Sequence, residues 1–195
     1  MRAVLVAGLV AACSGPTPAE RARPAASLSP EAYDRWRRPD ALVAALALRP
    51  GARVADVGAG AGYLTFRLAR AVGPGGRVIA TDIDPAALVA LTAARAGHPA
   101  EGAWVRVRAV AADDPGLEPG AYDLVLLAEV DHLLPDRAGY LARTAAALAP
   151  GGRIAVANRA YRRRDLARDA AAAGLRAADA AVDLPGQFLV FLEPR

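Results

Sequence analysis

The sequence predicts an α/β fold: a Rossmann-like, doubly wound, mostly parallel seven-stranded sheet, with the last strand antiparallel and helices on both faces. Three observations carry this. Short apolar runs alternate with helical patterns from Arg53 to about Ala173. The first run, Val54-Ala55-Asp56-Val57, empties into Gly58-Ala59-Gly60-Ala61-Gly62, and a helical pattern follows at once. The final two strand-like segments are separated only by the turn residues Leu184-Pro185-Gly186, so they must run in opposite directions.

Taken in order, Pro30 to Arg38 forms one or two helical turns that Pro39 stops, and Asp40 to Leu48 is a short amphipathic helix ending at Pro50-Gly51. Strand one is Arg53–Val57, and the helix after the glycine turn runs from Tyr63 to about Val72, with Leu64, Leu68 and Val72 on one face. Gly73-Pro74-Gly75-Gly76 is a turn into strand two, Arg77–Thr81, which ends at Asp82. Asp84-Pro85 opens the next helix, with Asp84 as its N-cap. Strand three, Trp104–Val110, alternates apolar residues with arginine, the pattern of a sheet edge with one wet face. No helix fits between Ala111 and Gly120; strand four, Tyr122–Leu127, is apolar throughout and therefore central. A loop, Ala128–His132, precedes a helix from about Asp136 to Leu148. Pro150-Gly151-Gly152 turns into strand five, Arg153–Ala157, and a basic helix runs from about Tyr161 to Ala173. Strands near Leu175–Val182 and Gln187–Leu192 complete the sheet.

The 195 residues suit one domain, and 54% hydrophobic residues with only 5% aromatic make its core one of Ala, Val and Leu. All basic side chains are arginines, and the net charge is +4. They are spread along the chain except at Arg159 and Arg162-Arg163-Arg164, which reads as a solvated helix face and not a nucleic-acid surface. The N-terminus has the form of a secretory signal: a charged start, the apolar run Ala3–Ala12, then Val10-Ala11-Ala12-Cys13, a lipobox pattern. Residues 1–13 are therefore expected to be a signal peptide with Cys13 as the lipidated residue, 14–30 a flexible tether, and 31–195 the folded domain. The implied location is the envelope face of a bacterial membrane, with contact only through the lipid, or the cytoplasm if the segment is not a signal. A single cysteine excludes an internal disulfide and a Cys-rich metal site.

The functional signal is the glycine turn. Glycine lets a ligand lie against bare backbone, and the helix that follows offers unpaired N–H groups. Asp82, about twenty residues on at the end of strand two, stands where a carboxylate accepts from both ribose hydroxyls. A dinucleotide fingerprint needs a third glycine at the position of Tyr63; its absence argues against a pyrophosphate at the helix start and for a ligand with one nucleoside and no phosphate.

Over Pro39 to the C-terminus, the sequence resembles the class I S-adenosylmethionine-dependent methyltransferases, through Val54–Gly62, Val78–Asp84, Tyr122–His132 and the turn Leu148–Arg153. The resemblance implies S-adenosylmethionine as cofactor. It implies that Asp56 and the backbone at Gly58, Gly60 and Gly62 hold the methionine moiety, with Asp82 on the ribose and Ile83 against the adenine. Asp113, with Asp114 beside it, is the expected partner of the adenine amino group, although Val110-Ala111-Ala112 departs from the family's usual Gly-Asp pair. Ala128 and Glu129 would complete the pocket below the sulfonium.

Methyl transfer from a sulfonium is an in-line displacement that positioning alone accelerates; a general base is needed only for a protonated acceptor. His132 and Glu129, at the mouth of strand four, are the candidates for that base, and no metal is expected. Tyr33 and Trp36 either form a lid or anchor the N-terminal helix. The short Asn158-Arg159-Ala160 connection leaves little room for acceptor-recognition structure, which suggests a small acceptor, an open site or a partner that supplies specificity; a small-molecule acceptor is the expectation. The alternatives are a catalytically inactive cofactor-binding lipoprotein, since S-adenosylmethionine is made in the cytosol, and a NAD-dependent oxidoreductase.

Overall fold

The computed structural model describes residues 30–195; the expected signal segment, Cys13 and the expected tether up to residue 29 lie outside the described residues. Seven strands form one sheet in the order β3-β2-β1-β4-β5-β7-β6. These are β1 (Arg53–Val57), β2 (Arg77–Asp82), β3 (Val105–Ala109), β4 (Tyr122–Ala128), β5 (Leu148–Arg159), β6 (Leu175–Asp179) and β7 (Gln187–Pro194). The helices are α1 (Pro30–Arg37), α2 (Pro39–Ala45), α3 (Thr65–Val72), α4 (Pro85–Ala94), α5 (Arg137–Ala146) and α6 (Leu166–Ala172).

Strands β1 to β5 are mutually parallel, and β7 inserts between β5 and β6, antiparallel to both. Strand order therefore reverses at β1, the place where ligands settle in doubly wound sheets. Alternate residues of the central strands feed two separate cores, which is why these strands are apolar on both faces. Val54, Leu124 and Leu126 pack with Leu42 of α2, Leu68 and Val72 of α3, and Leu91 of α4. Ala55, Val57, Val125 and Leu127 pack on the other side with Tyr140 and Leu141 of α5 and Leu166 and Ala170 of α6. β3 is an edge strand, and no helix intervenes between it and β4, as the loop-rich sequence indicates.

Several boundaries differ from those read in the sequence. Pro39 does end α1, with Arg38 held left-handed at φ 48°, and α2 then begins on that proline. α3 starts at Thr65, not Tyr63, because Gly62 N donates to Ala59 O at 3.0 Å and the tight turn takes up the intervening residues. β5 begins at Leu148, so Pro150-Gly151-Gly152 lies within the strand; the register slips between Tyr122↔Leu148 and Leu124↔Arg153, and the Pro-Gly-Gly step is absorbed there as an irregularity. The basic helix is split: a 3-10 turn covers Ala160–Arg162, Asp165 is left-handed at φ 64°, and α6 proper begins at Leu166. Asp84 caps α4 as anticipated, accepting from Ala86 N at 2.9 Å.

Candidate functional site

The carboxyl ends of β1, β2, β4 and β5 converge on one edge of the sheet. The glycine turn leaves β1 with Gly58, Gly60 and Gly62 at φ of 70°, 56° and 93°, a region L-residues rarely enter. Gly58 N and Ala59 N both donate to Thr81 O, at 2.8 and 3.0 Å, which fastens the turn to the end of β2. The glycines divide by surroundings. A Cβ on Gly58 would lie 2.2 Å from Val130 Cγ1 and one on Gly62 2.4 Å from Leu91 Cδ1, whereas one on Gly60 would meet nothing within 4 Å. Gly60 alone of the three therefore faces open space, as a backbone cradle for a ligand requires.

Asp82 closes the turn from the side. Its Oδ2 accepts from Gly60 N at 2.8 Å and its Oδ1 from Asp84 N at 3.0 Å, which fixes the carboxylate in orientation and leaves lone pairs over. Ile83 beside it is 61% exposed, an apolar side chain standing in the open next to that carboxylate. Asp56 is buried and accepts from Thr65 Oγ1 at 2.7 Å. Burial pushes its carboxyl up to about 6, against the Thr65 hydrogen bond and with a smaller contribution from the Asp82 charge. Asp113 is exposed on the loop after β3, while Asp114 is engaged in that loop, accepting from Gly116 N at 2.8 Å.

The mouth of β4 is built from residues far apart in sequence. Ala128 ends the strand opposite Ala157, and Glu129 follows at φ 61°, with its N–H donating to Ala157 O at 2.8 Å. Glu129 Oε1 is buried without a hydrogen-bond partner; Arg37 and Arg159 guanidinium nitrogens approach it at 3.7 and 3.8 Å. Arg37 is itself buried and donates to Gln187 Oε1, and Gln187 Nε2 donates to Trp36 O at 3.0 Å. Tyr63 donates from its hydroxyl to Asp34 Oδ1 at 2.5 Å and meets Tyr33 edge-on at 5.2 Å. These contacts anchor α1 across the carboxyl edge, with Tyr33 packed on Tyr63 and Trp36 held through its backbone carbonyl. Arg37 and Asp34 were not singled out in the sequence, because nothing near them hints at partners as distant as Gln187 and Tyr63.

One further network joins β4 to β5. Buried Asp131 accepts from Asn158 Nδ2 at 2.7 Å and from Arg137 at 3.3 Å. Asn158 Nδ2 also lies 2.9 Å from His132 Nδ1, and Asn158 Oδ1 accepts from Arg159 N at 2.8 Å. Burial, then the Arg162 charge, pushes the His132 imidazole below its usual range, with Asp131 and Glu129 opposing. The sequence signal for Asn158 is an amide closing the apolar run Ile154–Ala157.

The family described as Methyltransferase domain matches residues 55–154, from β1 into β5. Nocamycin O-methyltransferase of Saccharothrix syringae is 41% identical over 107 residues, covering 54% of this chain and 37% of that protein. Aklanonic acid methyltransferase DauC of a Streptomyces species is 35% identical over 113 residues, covering 57% of this chain and 50% of that protein. The matched region thus spans half or less of the length of these curated relatives. The crystal structure of a SAM-dependent methyltransferase from Aquifex aeolicus superposes with a TM-score of 0.74 at 20% identity, covering 84% of this chain and 93% of that one. These likenesses lend no support to the oxidoreductase or to an inactive protein.

Proposed function

This chain belongs to the methyltransferase-domain family, with the class I fold and S-adenosylmethionine as its cofactor, and from that premise we propose that it methylates an oxygen of a small-molecule acceptor. The observation that carries the reading is the pairing, at adjacent strand ends, of an open glycine cradle at Gly60 with an oriented carboxylate at Asp82. An oxygen acceptor is supported by the two curated relatives, one named as an O-methyltransferase and the other for an acid.

The side chains fit the cofactor by chemistry. Asp82 would accept from the ribose hydroxyls and exposed Ile83 would cover the adenine. Asp113, exposed near the same edge, is the residue we assign to the adenine amino group. Glu129 has a buried oxygen that lacks a hydrogen bond and is only loosely ion-paired, suited to an ammonium, and Arg37 beside it suits a carboxylate, so together they would hold the two charged ends of an amino-acid moiety. The bound group supplies an activated methyl on a sulfonium. The protein's part is to align the acceptor with that methyl and keep water out, and α1, pinned by Tyr63–Asp34 and Arg37–Gln187, roofs the edge where this happens. A lipid anchor at Cys13 belongs to the same proposal, supported by the lipobox pattern; a Cys13→Ser protein should lose labelling by a lipid precursor.

The test is incubation of the full chain with methyl-labelled S-adenosylmethionine and a panel of small carboxylic, enolic, phenolic and amine acceptors. Label recovered as a methyl ester or ether supports the reading; label found only on nitrogen or carbon acceptors overturns the choice of oxygen.

A further inference from the structure

Between the carboxyl ends of β4 and β5 lies a depression of about 520 Å³, lined among others by Asp131, His132, Leu134, Tyr161 and Arg162. Asp131 of its lining follows Val130 in the chain, and Val130 is the side chain that packs against Gly58 of the glycine turn. Two features of its wall specify what it takes.

The first is the state of His132. Asn158 has one orientation that satisfies its neighbours: Nδ2 donates to the Asp131 carboxylate at 2.7 Å, while Oδ1 accepts from Arg159 N at 2.8 Å. Flipping the amide would set oxygen against carboxylate and NH2 against N–H. With Nδ2 so fixed, its second hydrogen points to His132 Nδ1 at 2.9 Å, and that nitrogen has to be the acceptor. The proton of the ring is thereby placed on Nε2, on the side away from Asn158. Burial and the Arg162 and Arg159 charges, against Asp131 and Glu129, likewise favour the neutral ring. A histidine held this way donates from Nε2 and has no lone pair there with which to take a proton.

The second is Arg162. Arg137 pairs with Asp131 and Asp169, Arg164 with Asp165, and Arg168 with Asp165 and Asp169. Arg162 lies over the Tyr161 ring at 5.1 Å and has no carboxylate partner among the described residues. One N–H donor and one uncommitted guanidinium thus border the same depression.

We infer that this depression is the acceptor site, and that it takes an acceptor already ionised at oxygen, a carboxylate or enolate, held by His132 Nε2–H and Arg162. This rests on the methyltransferase reading above. The chemistry balances without a base: a lone pair of the oxyanion forms the new O–C bond while the C–S bond breaks and its electron pair returns to sulfur. The charges of anion and sulfonium vanish together and no proton is moved. His132 is then a positioning donor, in contrast to the general base the sequence suggested.

The experiment has two readouts on the full chain. Nitrogen-15 NMR of the histidine rings reports the His132 tautomer with or without any ligand; protonated Nε2 and bare Nδ1 are expected, and a proton on Nδ1 overturns the inference. Benzoate and benzamide are then titrated into protein saturated with S-adenosylhomocysteine. Benzoate should bind and shift the His132 Nε2 signal, benzamide should not, and His132→Ala or Arg162→Gln should each weaken benzoate about tenfold with S-adenosylhomocysteine affinity unchanged. His132→Gln, which keeps a donor, should restore part of the loss. Equal binding of the two probes, or benzoate binding indifferent to both variants, contradicts the site. Failure of S-adenosylhomocysteine to bind counts against the methyltransferase reading, while the tautomer still decides the state of His132.

Discussion

Gly60 N donates to Asp82 Oδ2 at 2.8 Å, joining the glycine turn to the end of β2 across 22 positions, at the place proposed for the cofactor. The bond orients the carboxylate before any ligand arrives, so little ordering remains to be done on binding. Asp82→Ala should weaken S-adenosylhomocysteine binding by about ten- to a hundredfold, the loss of two charge-assisted hydrogen bonds. Calorimetry checks this; unchanged affinity would remove Asp82 from the ribose.

The glycines of the turn should separate by mutation. Gly58→Ala places a methyl 2.2 Å from Val130 Cγ1 at a left-handed backbone, and should cost on the order of 2–4 kcal/mol of stability in urea unfolding. Trimming Val130 to Ala in that background should recover part of it. Gly60→Ala meets no neighbour, so its stability cost should stay near 1 kcal/mol while cofactor affinity falls steeply. Equal stability losses at the two positions would contradict this division.

Asp56 should make stability fall with pH. Its folded carboxyl titrates at about 6 because of burial, above the unfolded value near 4, so the native state holds the extra proton between those limits. The stabilisation is complete below pH 4 and lost as pH rises through 6, about 2–3 kcal/mol at most. Asp56→Asn should flatten this part of the profile in urea unfolding between pH 4 and 7. A variant with the same slope as wild type would show that the slope originates elsewhere.

Glu129→Gln tests the orphaned oxygen. If Glu129 serves a ligand ammonium, the variant should lose about tenfold or more in S-adenosylmethionine affinity with a change in unfolding midpoint of only a degree or two. A large drop in midpoint with intact affinity would assign it to its ion pairs with Arg37 and Arg159 alone.

The parts of this molecule legible in its sequence are those whose chemistry is written contiguously. The glycine turn, Asp82 at the close of a strand and the Asp84-Pro85 helix start each declare themselves within a few residues. The two-sided burial of β4 was equally plain, because a parallel strand covered on both faces has no polar alternation. What stayed hidden depends on long separations: Arg37 meets Gln187 across 150 positions, and Asn158 meets Asp131 across 27. The start of β5 is not legible in the sequence, because Pro-Gly-Gly is a turn signal that an irregular stretch of pairing also accommodates. His132 is visible in the sequence as a candidate base, but Asn158, whose Nδ2 lies 2.9 Å from its Nδ1, is brought alongside only by the fold.

The most direct measurement is calorimetric titration of the full chain with S-adenosylhomocysteine, with NAD in parallel. The account predicts one site per chain for S-adenosylhomocysteine, weakened by Asp82→Ala, and no heat from NAD. No binding of S-adenosylhomocysteine, or preferential binding of NAD, would contradict it.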